Sequence, residues 1–175
     1  QTMVMETGLL IAGGAETTRT VIAHGLRTFV DHPEAWEAIA ANPELAITAT
    51  EELIRWITPP NNMFRIATRD SEVAGTVIAA GERVALVYPA ANRDESVWDR
   101  PHEFDITRNP NPHLSFGHGT HFCLGANVAR AELRLLLELL TTRVTNLRAV
   151  TDPDIEPNIF ARAVRSFELG FDLRS

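Results

Sequence analysis

Apolar residues recur at helical spacing near the start of the chain, and Leu9, Leu10, Val21, Ile22, Leu26 and Phe29 mark a helix over Met3–Phe29 dense enough in hydrocarbon to be buried. Asp31, His32 and Pro33 end it, because proline disfavours helical geometry in the residue before it. Two more helices are predicted, roughly Pro33–Ala41 and Pro43–Thr58, each opened by a proline suited to a first turn. Pro59-Pro60 stops the second. The pattern then changes to an extended run, Met63–Thr68, and to short β-prone runs at Val73–Ala74, Thr76–Ile78 and Arg83–Tyr88. Gly75 and Gly81 separate these runs, which read as a small sheet of hairpins. Pro89–Asn111 is rich in charged and turn-forming residues, with Trp98 and Phe104 as its apolar anchors, and suits an ordered but irregular segment. Helical spacing returns over Ala126–Val144, where Leu133, Leu136, Leu137 and Leu140 form a core stripe. The tail from Asp152 to Ser175 reads as turns and short strands around Phe160, Phe167 and Phe171. The pattern as a whole is mainly α with small β-sheets, an α+β chain.

Two stretches break these rules. Ala12-Gly13-Gly14-Ala15-Glu16-Thr17-Thr18 sets adjacent glycines inside a helix, each costing roughly 0.5–1 kcal/mol against alanine. The threonines that follow can bond back to helix carbonyls and bend the helix. Such a point suits either a flat ligand lying on Gly13 and Gly14, with Glu16 and Thr17 projecting polar groups beside it, or close helix packing next to a satisfied acid.

The second is Phe116-Gly117-His118-Gly119-Thr120-His121-Phe122-Cys123-Leu124-Gly125, which carries three glycines and the only cysteine of the 175 residues. Glycine reaches positive φ cheaply and lets another group approach the backbone, so a tight, pre-shaped loop is expected. A helix begins just beyond it. Cys123 therefore sits near a helix N-terminus, where unpaired N–H groups and the helix dipole favour thiolate over thiol. A lone cysteine is ordinarily a small buried hydrophobe. A thiolate offered by a glycine-rich loop, with Phe116 and Phe122 to shield it, instead has the character of an axial ligand to haem iron.

Composition narrows the classes. A net charge of −7, without a basic run, argues against nucleic acid as a partner. One cysteine allows no internal disulfide and suits a reducing compartment. No apolar run approaches the ~18 residues of a membrane span, and the start lacks the layout of a signal peptide. We expect a cytoplasmic protein. Gln1 is no initiator methionine and already lies in an apolar helical segment, so the chain is expected to begin inside a domain.

Phe116, Gly119, Cys123 and Gly125 fit Phe-x-x-Gly-x-x-x-Cys-x-Gly, and here the sequence resembles the cytochrome P-450 family of haem-thiolate monooxygenases. Two further stretches extend the resemblance. Gly13 or Gly14, then Glu16, Thr17 and Thr18, resemble the family's distal I-helix, and Glu52-x-x-Arg55 resembles its K-helix pair. The resemblance runs along essentially the whole chain, from the distal helix through the cysteine loop to the last strands, and matches only the C-terminal part of a family member. Residues 1–175 are thus expected to be one partial P-450 domain that, expressed alone, binds haem poorly and exposes apolar surface.

The resemblance implies haem b (iron protoporphyrin IX) as cofactor, with Cys123 as the metal ligand and Phe116, Gly119, Gly125, Gly13 and Gly14 as cofactor-binding positions. It implies that Thr17 and Glu16 manage water and proton delivery where dioxygen is activated, as positioned acid groups do. Arg65 is expected to pair with a haem propionate, for which a planar guanidinium is well shaped, the lesser alternative being that it alternates outward on a strand. His121 resembles a second propionate partner, and His118 loop surface. Glu52 and Arg55 are expected to act structurally, as an anchor for the haem loop. The family often completes that pair with an arginine where Glu103 stands here, which leaves Arg100, Arg108 or His102 as candidates. Arg130 and Arg134 could face an acidic electron donor, and a hairpin tip near Ala161-Arg162-Ala163 could touch substrate.

For the intact protein the implied activity is hydroxylation of a lipophilic small molecule with O2 and electrons from NAD(P)H, delivered by a ferredoxin and its reductase. The alternatives are a haem-thiolate sensor or carrier, which has no use for Glu16 and Thr17, a peroxide-driven hydroxylase, expected to lack that pair, and a fragment inactive as it stands.

Overall fold

The computed structural model describes residues 2–174. Helix α1 spans Thr2–Asp31, α2 Pro33–Ala41 and α3 Leu45–Ile57. Strands β1 (Asn62–Ile66), β2 (Ser71–Val73), β3 (Thr76–Ile78) and β4 (Arg83–Val87) follow, then the single turn of α4, Tyr88–Ala91. After a long irregular segment come a short 3-10 turn at Gly119–His121, helix α5 (Ala126–Thr141), and strands β5 (Val144–Ala149), β6 (Asp154–Ile155), β7 (Val164–Ser166) and β8 (Leu169–Leu173). The α+β reading holds.

The core lies where α1, α2, α3 and α5 meet. Val21 and Phe29 of α1 pack with Trp36 and Ile39 of α2, Leu53, Ile54 and Ile57 of α3, and Leu133 and Leu137 of α5, each nearly free of solvent. Phe29 meets the Trp36 ring edge to face, with centroids 5.2 Å apart. The buried indole N–H donates to the Val144 carbonyl at 2.9 Å, so a core aromatic also fixes the start of β5. Close helix packing is achieved at Gly25, where an added Cβ would stand 3.3 Å from Leu53.

All strand pairing is antiparallel and two-stranded. β1 pairs with β4 around the β2–β3 hairpin, β5 with β8, and β6 with β7. Several boundaries differ from expectation. Residues 43 and 44 form a turn, so α3 opens at Leu45. Tyr88 starts α4 rather than ending a strand. Helix α5 ends at Thr141, and Val144 opens a strand that the helical spacing had absorbed. There the backbone exchanges helix bonds for a ladder with β8, pairing Val144 with Leu173.

Candidate functional site

The expected site residues lie on four segments, α1, α3, β1 and the cysteine loop. Glu52 and Arg55 are wholly buried on this helix, with Arg55 Nη2 donating to Glu52 Oε1 at 2.7 Å and Nε to Oε2 at 2.8 Å. The guanidinium's remaining N–H groups donate to the carbonyls of Asn92, Pro101 and Glu103 at 2.9–3.0 Å. Glu52 in turn accepts from the Asp105 N–H and the Asn111 side chain, both at 3.0 Å. Burying an ion pair is tolerable only when every remaining donor and lone pair is satisfied in this way. The pair therefore holds the irregular segment that leads to the cysteine loop.

The third member of this cluster is Arg108. Its Nε lies 3.3 Å from Glu52 Oε2 and its side chain is 9% exposed, although the N–H is not aimed at that oxygen. Its amino groups donate instead to the carbonyls of Asp99 and Arg100. The other two candidates lie outside. Arg100 pairs with Asp99, Glu103 and Asp105 at the surface, and His102 is an exposed partner of Glu95.

Sequence reasoning missed Asn92 as a hub. Fully buried at the end of α4, it donates to the hydroxyls of Thr58 and Ser115, and its Oδ1 accepts the Leu114 N–H, each at 2.8 Å. It thus pins the entry of the cysteine loop to the end of α3. The only signal in sequence was an amide-bearing residue within an irregular segment rich in turn-forming residues.

Within the loop, the Cys123 N–H donates to the Phe116 carbonyl at 2.9 Å, and the Gly117 N–H to the Leu114 carbonyl at 2.8 Å. Gly117 and Gly119 adopt φ of 71° and 70°, the left-handed region that the glycine spacing predicted. Gly125 differs, since its φ is −84° and any residue could adopt it. Nothing stands within 4 Å of a Cβ built on Gly119 or Gly125. The Cys123 residue is exposed, and around it Phe122, Leu124 and Val128 are 52, 87 and 61% exposed. Phe116 and Phe122 lie 6.2 Å apart, but only Phe116 is packed inward, so the pair covers one side of the loop and leaves the cysteine open.

On α1 the helix runs unbroken through Gly13 and Gly14, and nothing lies within 4 Å of a Cβ at either. Among the described residues, none packs against the glycine pair. The Thr17 hydroxyl donates to the Gly13 carbonyl at 2.8 Å, the back-bonding its position allows. Glu16 is held by Arg19 through contacts of 2.9 and 3.1 Å, and Arg19 also donates to the Val164 carbonyl. The acid is thereby tied to the C-terminal hairpin, a link that sequence alone did not reveal. Further along α1, burial lowers the pKa of His24, whose Nε2 lies 2.8 Å from the Arg162 carbonyl.

Arg65 sits on β1 opposite Val84, exposed, with its guanidinium donating to the Phe64 carbonyl at 2.9 Å. His121 closes the 3-10 turn and is exposed, as is His118. Both Arg65 and His121 are thus free to meet an anionic group. At the C-terminal hairpin Ala161 and Ala163 are buried, and the large apolar groups it exposes are Ile155, Ile159 and Phe160. Arg130 does not offer a free charge, because Glu51 takes its Nε and Nη2 at 2.7 and 2.9 Å.

The residue types present fit a haem-thiolate group: an accessible sulfur that would bind iron, open space beside Gly119 and Gly125, exposed hydrocarbon, and a guanidinium and an imidazole, Arg65 and His121, that would meet carboxylates. The comparisons agree in class. The family model described as Cytochrome P450 matches residues 1–163, and the chain belongs to that family.

Among relatives, it is 44% identical over 155 residues to a steroid C26-monooxygenase of Mycobacterium tuberculosis, covering 89% of this chain and 42% of that protein. It is 46% identical over 147 residues to a methyl-branched lipid omega-hydroxylase of Mycobacterium bovis, covering 83% of this chain and 34% of that one. The fold superposes on P450BioI, solved in complex with acyl carrier protein ligated to hexadec-9Z-enoic acid. That match has a TM-score of 0.90 and 39% identity, and covers 94% of this chain and 43% of that one. It also superposes on cytochrome P450-153 from Novosphingobium aromaticivorans, with a TM-score of 0.89 and 37% identity over 94% and 42% of the two chains. The chain thus spans about two fifths of the length of its relatives. Among the described residues no helix is long and apolar enough to cross a membrane.

Proposed function

We propose that the protein containing this chain is a bacterial, cytoplasmic haem-thiolate monooxygenase that inserts one oxygen atom of O2 into a lipophilic small molecule. The observation that carries this reading is the exposed Cys123, its backbone tied to Phe116 in a loop with open space over Gly119 and Gly125. The relatives named for steroid and branched-lipid hydroxylation support the substrate class.

Cys123 would bind the iron of haem b, Phe116 would limit access of water to the sulfur, and Arg65 and His121 would hold the propionates. When bound, the haem supplies activation of dioxygen, to which thiolate donation contributes by favouring O–O cleavage. Thr17 has its proton committed to the Gly13 carbonyl, which leaves the hydroxyl's lone pairs to accept from water and orient it. Glu16 passes protons towards that water, and Arg19 sets where its carboxylate rests. Electrons would come from NAD(P)H through a ferredoxin reductase and a ferredoxin.

Haem loading of the full-length protein tests this. A red-shifted ferrous–CO Soret band is expected, lost in Cys123→Ala, together with NAD(P)H-dependent product. Titration with sterols, fatty acids and terpenes should move the haem spin state for the true substrate class. An unshifted Soret band in the unaltered protein would reject the reading.

A further inference from the structure

Glu51 and Glu52 are neighbours on α3, about 100° apart around a helix of 3.6 residues per turn. They serve two different segments. Glu52 turns to the irregular segment already described, whereas Glu51 reaches the cysteine loop and α5. Its Oε1 accepts from Arg130 Nε at 2.7 Å, and its Oε2 from Arg130 Nη2 at 2.9 Å. His113 Nε2 lies 3.1 Å from the same Oε2. Held by this fork, the Arg130 guanidinium carbon lies 4.6 Å from the Phe116 ring centroid, within cation–π range. The His113 ring also lies against Phe116, with centroids 5.6 Å apart. The phenylalanine is thus gripped by two cationic or polar side chains that share one carboxylate, and its carbonyl is the acceptor for the Cys123 N–H.

We propose that Glu51 is a positioning residue for the Cys123 loop, orienting Arg130 and His113 so that Phe116 is fixed and its carbonyl holds the cysteine backbone at the site. The proposal rests on the haem-thiolate reading for its consequence but not for its geometry. The His113 side chain is 2% exposed and among the described residues its Nδ1 has no partner, so within them Glu51 supplies the one hydrogen bond of a buried imidazole. An unpaired buried polar group is costly, and its easiest relief is movement of the loop that carries it. Charge alone is insufficient for Arg130, because lysine offers neither the planar fork nor the stacked face.

The test compares Glu51→Gln, Arg130→Ala, Arg130→Lys and the double variant with the control Glu37→Gln, which breaks a remote ion pair to Arg174. Two readouts are taken on the full-length protein. In the haem-free form, amide hydrogen exchange at Cys123 should quicken at least severalfold in Glu51→Gln and in Arg130→Ala. In the haem-loaded form, the share of ferrous–CO complex lacking the red-shifted band should rise severalfold in the same variants. Arg130→Lys should fall between, the double variant should be no worse than Glu51→Gln, and Glu37→Gln should change neither readout. A normal band and unchanged Cys123 exchange in folded Glu51→Gln would overturn the proposal. Absence of the shifted band from the unaltered protein would instead strike the haem-thiolate reading, and the exchange measurement would still decide the brace.

Discussion

Glu52 and Arg55 form a two-point ion pair with neither side chain exposed, and every other donor of the guanidinium ends on a backbone carbonyl of a different segment. The pair is a junction between a helix and a segment without regular structure of its own.

Removing one partner should therefore do more harm than removing both. Arg55→Ala leaves a buried carboxylate and three unpaired carbonyls, and single breaks of this kind typically cost about 3–5 kcal/mol. Arg55→Ala or Glu52→Ala is expected to abolish or nearly abolish the folded protein in thermal denaturation. Glu52→Gln combined with Arg55→Met should be milder than either alanine change. Equal melting temperatures for Arg55→Ala and the parent protein would contradict this account.

The loop glycines should separate by mechanism. Gly119 needs its φ of 70°, which costs other residues roughly 1–2 kcal/mol, so Gly119→Ala should lower stability by about that much with or without haem. Gly125 has an ordinary φ and open space beside it, so Gly125→Ala should leave the haem-free protein nearly unchanged. Its expected effect is on haem affinity, read by titration of the Soret band. A large loss of haem-free stability in Gly125→Ala would refute the distinction.

Thr17→Ala removes a local hydroxyl-to-carbonyl bond and no core contact, so folding should be little affected. In the complete enzyme it should uncouple turnover, with peroxide released and product per NAD(P)H reduced by about tenfold or more, towards the 10²–10⁴-fold range of positioned proton-transfer groups. Full coupling in that variant would count against the proton route through Glu16 and Thr17.

Glu51 predicts an acid-side signature. Burial pushes its carboxyl up, but hydrogen bonds from His113 and Arg130, with their charge, outweigh burial and hold it down at about 2, against 4.5 for an ordinary glutamate. A depressed folded-state value means that the stabilisation is complete above 4.5 and is lost as pH falls towards 2. The stability difference between the parent and Glu51→Gln should therefore shrink as pH falls through that acid window. A difference independent of pH would show that the carboxylate's charge is not what matters.

Periodicity and motif spacing were enough to read the four long helices, the positive φ of Gly117 and Gly119, the free cysteine and the family, because each depends on residues within a few positions of one another. Tertiary structure alone decided what depends on pairs far apart in the chain. It chose Arg108 over Arg100 and His102, since only Arg108 is carried by its turn to the buried face of Glu52. It turned Glu51 towards the loop while its neighbour met the irregular segment. It placed a close helix contact at Gly25, where α3 approaches α1. It also ended α5 early, because Val144 finds in Leu173 and in the Trp36 indole partners that helix propensity knows nothing of. A local pattern states what a segment prefers, and burial against a distant segment determines which of its polar groups must find a partner and which partner is within reach.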